Sequence, residues 1–209
     1  EIIVTDDSRS DHVRTLVGSF ADPRIRYRRN GPMLGVAANH AAAFAESAGR
    51  YIAILNHDDR WSPGFLSTLI RPLENDDTIA ASFCDHYVID RLGRILETET
   101  DLASAKWGRA TLHEGTHRPM TPLLAAQTIP MAMGCVFRKS LLDAGEPRQE
   151  AGPTYDFRIA YLLAKTGLGA HYCPARLSSW RSHGSNITSK GSLHWALGSA
   201  FCWSAILND

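Results

Sequence analysis

At 209 residues, with 44% hydrophobic content and Lys plus Arg balanced at 22 against 22 Asp plus Glu, the chain has the composition of a globular protein whose core needs no staples. Zero formal net charge argues against a nucleic-acid-binding surface spread over the whole molecule, and no apolar run approaches the roughly 20 residues that span a bilayer. Cys84, Cys135, Cys173 and Cys202 stand singly, so neither a structural zinc site nor a disulfide framework is indicated, and a reducing cytoplasm fits.

Glu1 leads straight into a strand, and the expectation is that further sequence precedes it. Ile2-Ile3-Val4 is a β-branched run that delivers Thr5-Asp6-Asp7-Ser8 to its carboxyl end, where ligands bind in open α/β sheets. Asp11 then caps a helix whose apolar face is Val13, Leu16, Val17 and Phe20. Asp22-Pro23 turns the chain into the strand Ile25-Arg26-Tyr27, which Asn30-Gly31-Pro32 breaks. Arg24, Arg26, Arg28 and Arg29 could meet a phosphate, with a solvated edge strand as the plainer reading. Val36 to Ser47 is Ala-rich and helical, and Gly49 is placed as its left-handed cap.

Tyr51 to Asp59, YIAILNHDD, is the stretch around which the chain is organised: a buried strand stops abruptly at an amide, an imidazole and two adjacent carboxylates. Adjacent carboxylates repel, and burying them costs free energy unless a cation or donors satisfy them. A divalent metal is one reading. The other is a solvated turn before a helix with Ser62 as N-cap and Pro63 at its first position. The order strand, helix, strand, helix, strand implies right-handed crossovers and a largely parallel sheet.

The helix from Pro63 to Glu74 presents Phe65, Leu66, Leu69, Ile70 and Leu73, and Ile79 to Phe83 forms the next strand. His86 to Asp90 and Arg94 to Leu96 flank Arg91-Leu92-Gly93 as a hairpin, so the sheet becomes mixed in its second half. From Thr98 to Pro130 periodicity fades into loops around one or two short helices, and such loops are often functional. Ala132 to Phe137 is a strand, Lys139 to Ala144 a short helix, and Tyr155 to Thr166 an amphipathic helix ended by Gly167. Two short strands, Ala170 to Cys173 and Leu177 to Trp180, lead into Arg181-Ser182-His183-Gly184-Ser185-Asn186. The helix from Leu193 to Leu207 carries Trp195, Phe201 and Trp203, either for packing on its own domain or for pairing into a homo-oligomer.

Together these pieces resemble glycosyltransferase family 2 on a GT-A fold. EIIVTDDSRSD is similar to the family's strand and Asp-Asp-Gly-Ser-Thr-Asp turn, and NGPMLGVAANHAAAFAESAGRYIAILNHDDRWSPGFL to its long signature, with Asn39, Ala45, Gly49, Tyr51, Asp58, Asp59 and Pro63 in register. AMGCVFRKSLLDAGE followed by YDFRIAYLLAKTG resembles the acceptor half, and WRSHGSN a late Arg-x-His element, so the similarity runs to about Thr188. The implied fold is a single α/β domain with a Rossmann-like mixed, mainly parallel sheet flanked by helices. Residues 1–97 would form a nucleotide-sugar-binding half, 98–188 an acceptor-binding half and 189–209 a C-terminal amphipathic helix.

The implied activity is inverting, metal-dependent transfer of a sugar from a nucleoside diphosphate, UDP by family habit, to a glycan or small-molecule hydroxyl. A hard divalent cation, Mn or Mg, would stabilise the leaving group. Register places it on Asp58, with Asp59 as a supporting ligand or brace and His183 completing the metal site or touching the diphosphate. Asp6, Asp7, Asn39, Asn56 and Arg181 are the implied donor contacts, and Asp156 the general base. The plainer alternatives are an Asx turn for Asp6 and Asp7, helix capping for Asp156, a solvated loop for His183, and packing over Trp180 for Arg181. His57 reads as an exposed loop side chain.

Departures from the family pattern are the absent opening Pro-Thr-Tyr-Asn element, Ala38 where an Arg would reach phosphate, Asn56 in place of the first Asp of the metal motif, and Tyr155 in place of the Glu before the base. They keep a second class open, a sugar-nucleotide or glycan-binding module that has lost its chemistry. A phospho-receiver domain is a third, and it accounts for nothing after about Ala144. A cytoplasmic protein, free or held at the cytoplasmic face of a membrane, is the expected setting.

Overall fold

β1 (Ile2–Asp6) and β2 (Ile25–Arg29) pair in parallel, with Ile2 opposite Ile25 and Asp6 opposite Arg29, and α1 (His12–Ser19) makes the crossover between them. The computed structural model describes residues 1–184, 186 and 193–209. The expected boundary at residues 188 and 189, and Ser185 of the late motif, lie outside the described residues. α2 (Val36–Glu46) follows, and its chain leaves through an extended Ser47. The left-handed cap expected at Gly49 is not used. Glu1 Oε1 instead accepts the Ala48 and Gly49 N–H groups at 2.6 and 3.0 Å.

A second sheet carries β3 (Tyr51–Ala53), β4 (Arg60–Trp61), β5 (Ile79–Ile89), β6 (Gly115–His117), β7 (Cys135–Arg138) and β8 (Gly169–Arg181). Its order is β3-β7-β5-β8-β4, with β6 also on β8. The sheet is mixed, as expected, but its parallel share is smaller than expected. Among the described residues only β5 with β8 runs parallel there, while the β3–β7, β5–β7, β4–β8 and β6–β8 pairs are antiparallel. Of its neighbouring strands, β5 belongs to the first expected half and β8 to the second, while β1 and β2 of the first half pair apart from this sheet.

β5 is the longest buried strand, covered on both faces and correspondingly apolar apart from the buried Ser82, Asp85 and His86. β8 joins the two short strands expected on either side of Pro174. The register jumps from Cys84 opposite Cys173 to Asp85 opposite Arg176, so Pro174 and Ala175 bulge out of a ladder to which proline cannot donate. The hairpin after β5 is reduced to a turn with a single bridge, Ile89 to Ile95.

α3 (Phe65–Asn75) starts after Gly64 rather than at a Ser62 cap, and its Phe65, Leu69 and Leu73 fill one face of the sheet beside Ile79, Cys84 and Val136. Each such side chain is worth roughly 1.5–3 kcal/mol when fully buried. Leu66, expected on that face, is exposed. Arg138, buried at the end of β7, closes α3 by donating to the Leu73, Asp76 and Ile79 carbonyls at 2.5, 3.0 and 2.8 Å. The opposite face packs against α2, α5 (Thr121–Ala125) and α6 (Tyr155–Lys165) around Phe83, Phe137, Ile159, Leu163 and Tyr172. α4 (Glu97–Lys106) lies along β5, with Thr100 Oγ1 accepting the Val88 N–H at 2.9 Å.

α7 (Leu193–Leu207) packs on its own domain. Gly198 brings the helix so near the turn at 149–154 that a Cβ there would stand 2.3 Å from the Ala151 carbonyl oxygen, and Cys202 is buried beside Thr154. The homo-oligomer expectation concerns the other side of this helix, where Leu193, Leu197 and Leu207 are exposed.

Candidate functional site

Two clusters of polar side chains form where the strands end, and α2 runs between them. The first gathers Asp6, Asp7 and Asn39 around Asn30. Asp6 is buried, accepting the Ser8 N–H at 2.7 Å and the Tyr27 hydroxyl at 2.8 Å. Burial alone would raise its pKa, but these donors and the nearby Arg29 hold it below the ordinary carboxylate value. Asp7 accepts from Asn30 Nδ2 at 2.7 Å and from the Leu34 and Gly35 N–H groups at 3.1 and 2.7 Å, so it anchors the entry to α2. Asn30 Nδ2 also donates to Asn39 Oδ1 at 2.7 Å, and Asn39 Nδ2 donates to the Thr5 carbonyl at 3.3 Å.

The Asx turn weighed for Asp6 is thus present, and all three expected donor contacts are already engaged inside the protein. A carboxylate offers about four acceptor positions, so Asp6, which accepts two bonds, retains capacity for a ligand hydroxyl or imino proton. Asn30 is the member that sequence reasoning missed, because Asn-Gly-Pro reads as a breaker and only its burial reveals the bridge.

The second cluster is built on the turn after β3. The Asp59 N–H donates to the Asn56 carbonyl at 3.2 Å, which folds Asn56 to Asp59 back on itself and leaves His57 exposed, as expected. Asp58 Oδ2 lies 3.1 Å from His183 Nε2, and 125 positions separate the two residues in the chain. Asp59 Oδ1 accepts the Arg181 backbone N–H at 2.9 Å. Burial, outweighing that donor and helped by the Asp58 charge, pushes Asp59 up to about 6. Arg181 donates through Nε to the Asp58 carbonyl at 2.8 Å and through Nη1 to the Asp90 and Arg91 carbonyls at 2.8 and 3.1 Å. Among the described residues Nη2 makes no hydrogen bond. Asn186 braces His183: its Oδ1 accepts the His183 N–H at 2.5 Å, while its Nδ2 donates to the Arg181 carbonyl at 3.0 Å. The sequence held Asn186 inside the WRSHGSN run without pointing to this role.

Asp156 opens α6, accepting the Phe157 N–H at 2.8 Å, and burial raises its pKa above the ordinary value. Beside it, Tyr155 is buried, donates to Asn56 Oδ1 at 3.2 Å and stacks on His40, with ring centroids 4.0 Å apart and planes at 18°. His40 is held in turn by its Nδ1 on the Val36 carbonyl at 2.7 Å. Neither Tyr155 nor His40 was an expected site residue, and no sequence signal marked their contact.

Among the described residues, no three His, Cys, Asp or Glu side chains converge on one point as a closed metal site would require. Asp58 and His183 nevertheless suit a hard cation that completes its shell with phosphate oxygens and water. They stand 3.1 Å apart as a hydrogen-bonded pair, and a cation bound there would be held by the Asp58 carboxylate and the His183 imidazole in place of that contact. Asp59, turned toward Arg181, is placed to brace the turn.

A mixed sheet flanked by helices, with a carboxylate turn at the end of a strand, is the GT-A arrangement. The model of "Glycosyl transferase family 2" matches residues 1–141, and the chain belongs to that family. The structure of S. aureus TarS 1-349 in complex with UDP-GlcNAc is similar over 100% of this chain and 58% of its own, with a TM-score of 0.74 at 11% identity. By sequence the chain is 32% identical over 88 residues to the Escherichia coli UDP-Glc:alpha-D-GlcNAc-diphosphoundecaprenol beta-1,3-glucosyltransferase WfaP, covering 42% of this chain and 35% of WfaP. It is 33% identical over 118 residues to the succinoglycan biosynthesis protein ExoO of Rhizobium meliloti (strain 1021), covering 54% and 32%. The chain thus spans about a third of the length of these curated relatives. No described helix is long and apolar enough to cross a membrane.

Proposed function

We propose that this chain carries the core of a metal-dependent inverting glycosyltransferase, which moves a sugar from a UDP-sugar to an acceptor hydroxyl. The observation that carries the reading is the meeting of Asp58 and His183 at 3.1 Å beside the Asn56–Asp59 turn, in a chain of this family. Mn or Mg, held by Asp58 and His183, would neutralise the charge that builds on the departing diphosphate.

The chain's own groups do the remaining work. Asp156 accepts the proton of the acceptor hydroxyl as that oxygen bonds to the anomeric carbon and the bond to the UDP oxygen breaks, so a single displacement inverts the centre. Its burial helps, because a base is most useful when its pKa approaches the working pH. The form that works is deprotonated, so turnover should fall as pH drops through this raised pKa. Asp6, Asp7 and Asn39 frame the nucleoside, Arg181 offers Nη2 to phosphate, and Asn56, whose Oδ1 accepts from Tyr155, has its Nδ2 to offer the donor. Asp59 braces the turn through the Arg181 N–H.

A uridine diphosphate donor is supported by the UDP-GlcNAc in the TarS complex and the UDP-Glc in the WfaP name. The diphosphoundecaprenol in that name supports a saccharide acceptor on a lipid carrier, and a cytoplasmic enzyme working against the membrane face where such a carrier lies.

The test is release of UDP from a panel of UDP-sugars by the wild type and by Asp156→Asn. Loss of a general base predicts a fall of about 10²–10⁴-fold in the variant. Equal rates in the two proteins would favour a binding module without chemistry.

A further inference from the structure

Two of the places where this chain departs from its family pattern touch each other. Asn56 stands where the metal motif has its first carboxylate, Tyr155 stands where the base motif has its Glu, and the Tyr155 hydroxyl donates to Asn56 Oδ1 at 3.2 Å. Two carboxylates in these positions would face one another beside Asp58, Asp59 and Asp156, and like charges at that range disfavour each other's ionised form. A neutral phenol and a neutral amide form a bond instead.

We infer that Tyr155 is a positioning residue, which sets the Asn56–Asp59 turn against the start of α6 by holding the Asn56 carboxamide, with His40 as the backstop for its ring. The geometry supplies each link. Tyr155 is 4% exposed, so its ring has one pose. His40 stacks on that ring at 4.0 Å and is itself fixed to α2 by the Val36 carbonyl. Burial, with the nearby carboxylates, raises the Tyr155 pKa far above the ordinary phenol value, so the hydroxyl keeps its proton and remains a donor. Burial also lowers His40, which stays a neutral ring able to stack face to face. Asn56 in turn supplies the carbonyl that closes the turn on the Asp59 N–H, and Asp58 lies within that turn. One side chain thus connects three parts: its hydroxyl holds the carboxylate turn, its backbone lies at the start of the helix that opens with Asp156, and its ring rests on α2, which also carries Asn39.

The proposal rests on the glycosyltransferase reading only for its kinetic arm, so the experiment has two. The first is amide hydrogen exchange, read by NMR, at Asp59 and Arg181 in the wild type, Tyr155→Phe, Asn56→Ala, the double variant and Asn56→Asp. Tyr155→Phe keeps the ring on His40 and removes only the donor, so exchange at Asp59 should quicken roughly fivefold, the worth of one net hydrogen bond. Asn56→Ala should do the same, and the double variant should be no faster than either single. Asn56→Asp keeps an acceptor for the phenol and should stay slow. The second arm is UDP release, where Tyr155→Phe should lower kcat with little change in the donor KM.

Quickened exchange that is non-additive supports the positioning role even if no UDP-sugar is turned over, in which case the activity reading fails by itself. Unchanged exchange in Tyr155→Phe, or effects of the two single variants that add in full, overturns the inference whether or not the enzyme turns over. Should Tyr155→Phe fail to fold, the contrast between Asn56→Ala and Asn56→Asp decides on its own: quick and slow exchange supports the inference, equal exchange overturns it.

Discussion

Arg181→Ala removes a side chain that ties three backbone carbonyls from two loops. Its guanidinium donates to Asp58 O and Asp90 O at 2.8 Å each and to Arg91 O at 3.1 Å. A hydrogen bond contributes about 0.5–1.5 kcal/mol net, and more when one partner is charged. Three give about 3 kcal/mol, and rehydration of carbonyls near the surface returns part of it, so the loss should be about 2 kcal/mol. The backbone N–H that holds Asp59 survives the substitution, so Asp59 keeps its place while Asp58 loses its anchor. Arg181→Lys can remake one of the three bonds at most and should recover less than half. Denaturant unfolding followed by circular dichroism measures the loss, and calorimetric titration with UDP and Mn measures what it does to binding. If Arg181→Ala weakened UDP binding without any loss of stability, the tie would be an incidental contact and Arg181 a phosphate ligand alone.

Gly198→Ala places a Cβ 2.3 Å from the Ala151 carbonyl oxygen and 2.9 Å from Thr154 Oγ1. Forcing an atom into a filled contact costs about 1–3 kcal/mol, which for a chain of this size is a drop in Tm of roughly 2–12 °C; an unchanged Tm would mean that α7 does not seat on the turn at 149–154. The acid limb of stability should involve Glu146, which is buried with Arg158 at 2.8 Å. Burial pushes its pKa up, but the Arg158 bond and charge and the Arg148 donors outweigh this, leaving it below its ordinary value of 4.5. Its stabilisation is therefore complete above about pH 4.5 and is lost as pH falls through the lower folded value. Glu146→Gln should flatten the decline measured by denaturant unfolding between pH 5 and 3, and an unaltered slope would assign the decline to other carboxylates.

What could be read from the sequence follows what is local. Strands and helices with strong periodicity, such as Phe65 to Leu73 and Tyr155 to Lys165, stand where the pattern put them. Caps read from residue type alone fared worse. Asp11 does stand at the N-cap of α1, but its side chain pairs with Arg29 instead of bonding the helix N–H groups, and α3 begins past Ser62, which follows the β4 residues Arg60 and Trp61 paired with β8. The register of YIAILNHDD picked out Asp58, and the late Arg-x-His run picked out its neighbour His183, although no spacing rule could have given their 3.1 Å separation. Asn30, His40 and Asn186 escaped notice because each looks ordinary in sequence and acquires its role from a partner brought up by the fold, while Tyr155 stood out only as a departure at the base motif, with nothing to point to Asn56 as its partner. The same holds for Asp85, set beneath α4 with Ser104 and Arg109 as buried donors at 2.5 and 2.7 Å in a strand that otherwise reads as core.

The most direct test of the account is the thermal unfolding of the wild type and Asp58→Ala with UDP, with Mn, and with both. At a UDP concentration of about one hundred times Kd, binding should stabilise the wild type by about 2.7 kcal/mol, a rise in Tm of roughly 5–10 °C at this chain length. That rise should require UDP and Mn together and should vanish in Asp58→Ala. A wild type indifferent to the pair, or an Asp58→Ala variant that rises as far as the wild type, would contradict the claim that Asp58 holds the cation of a nucleotide-sugar site.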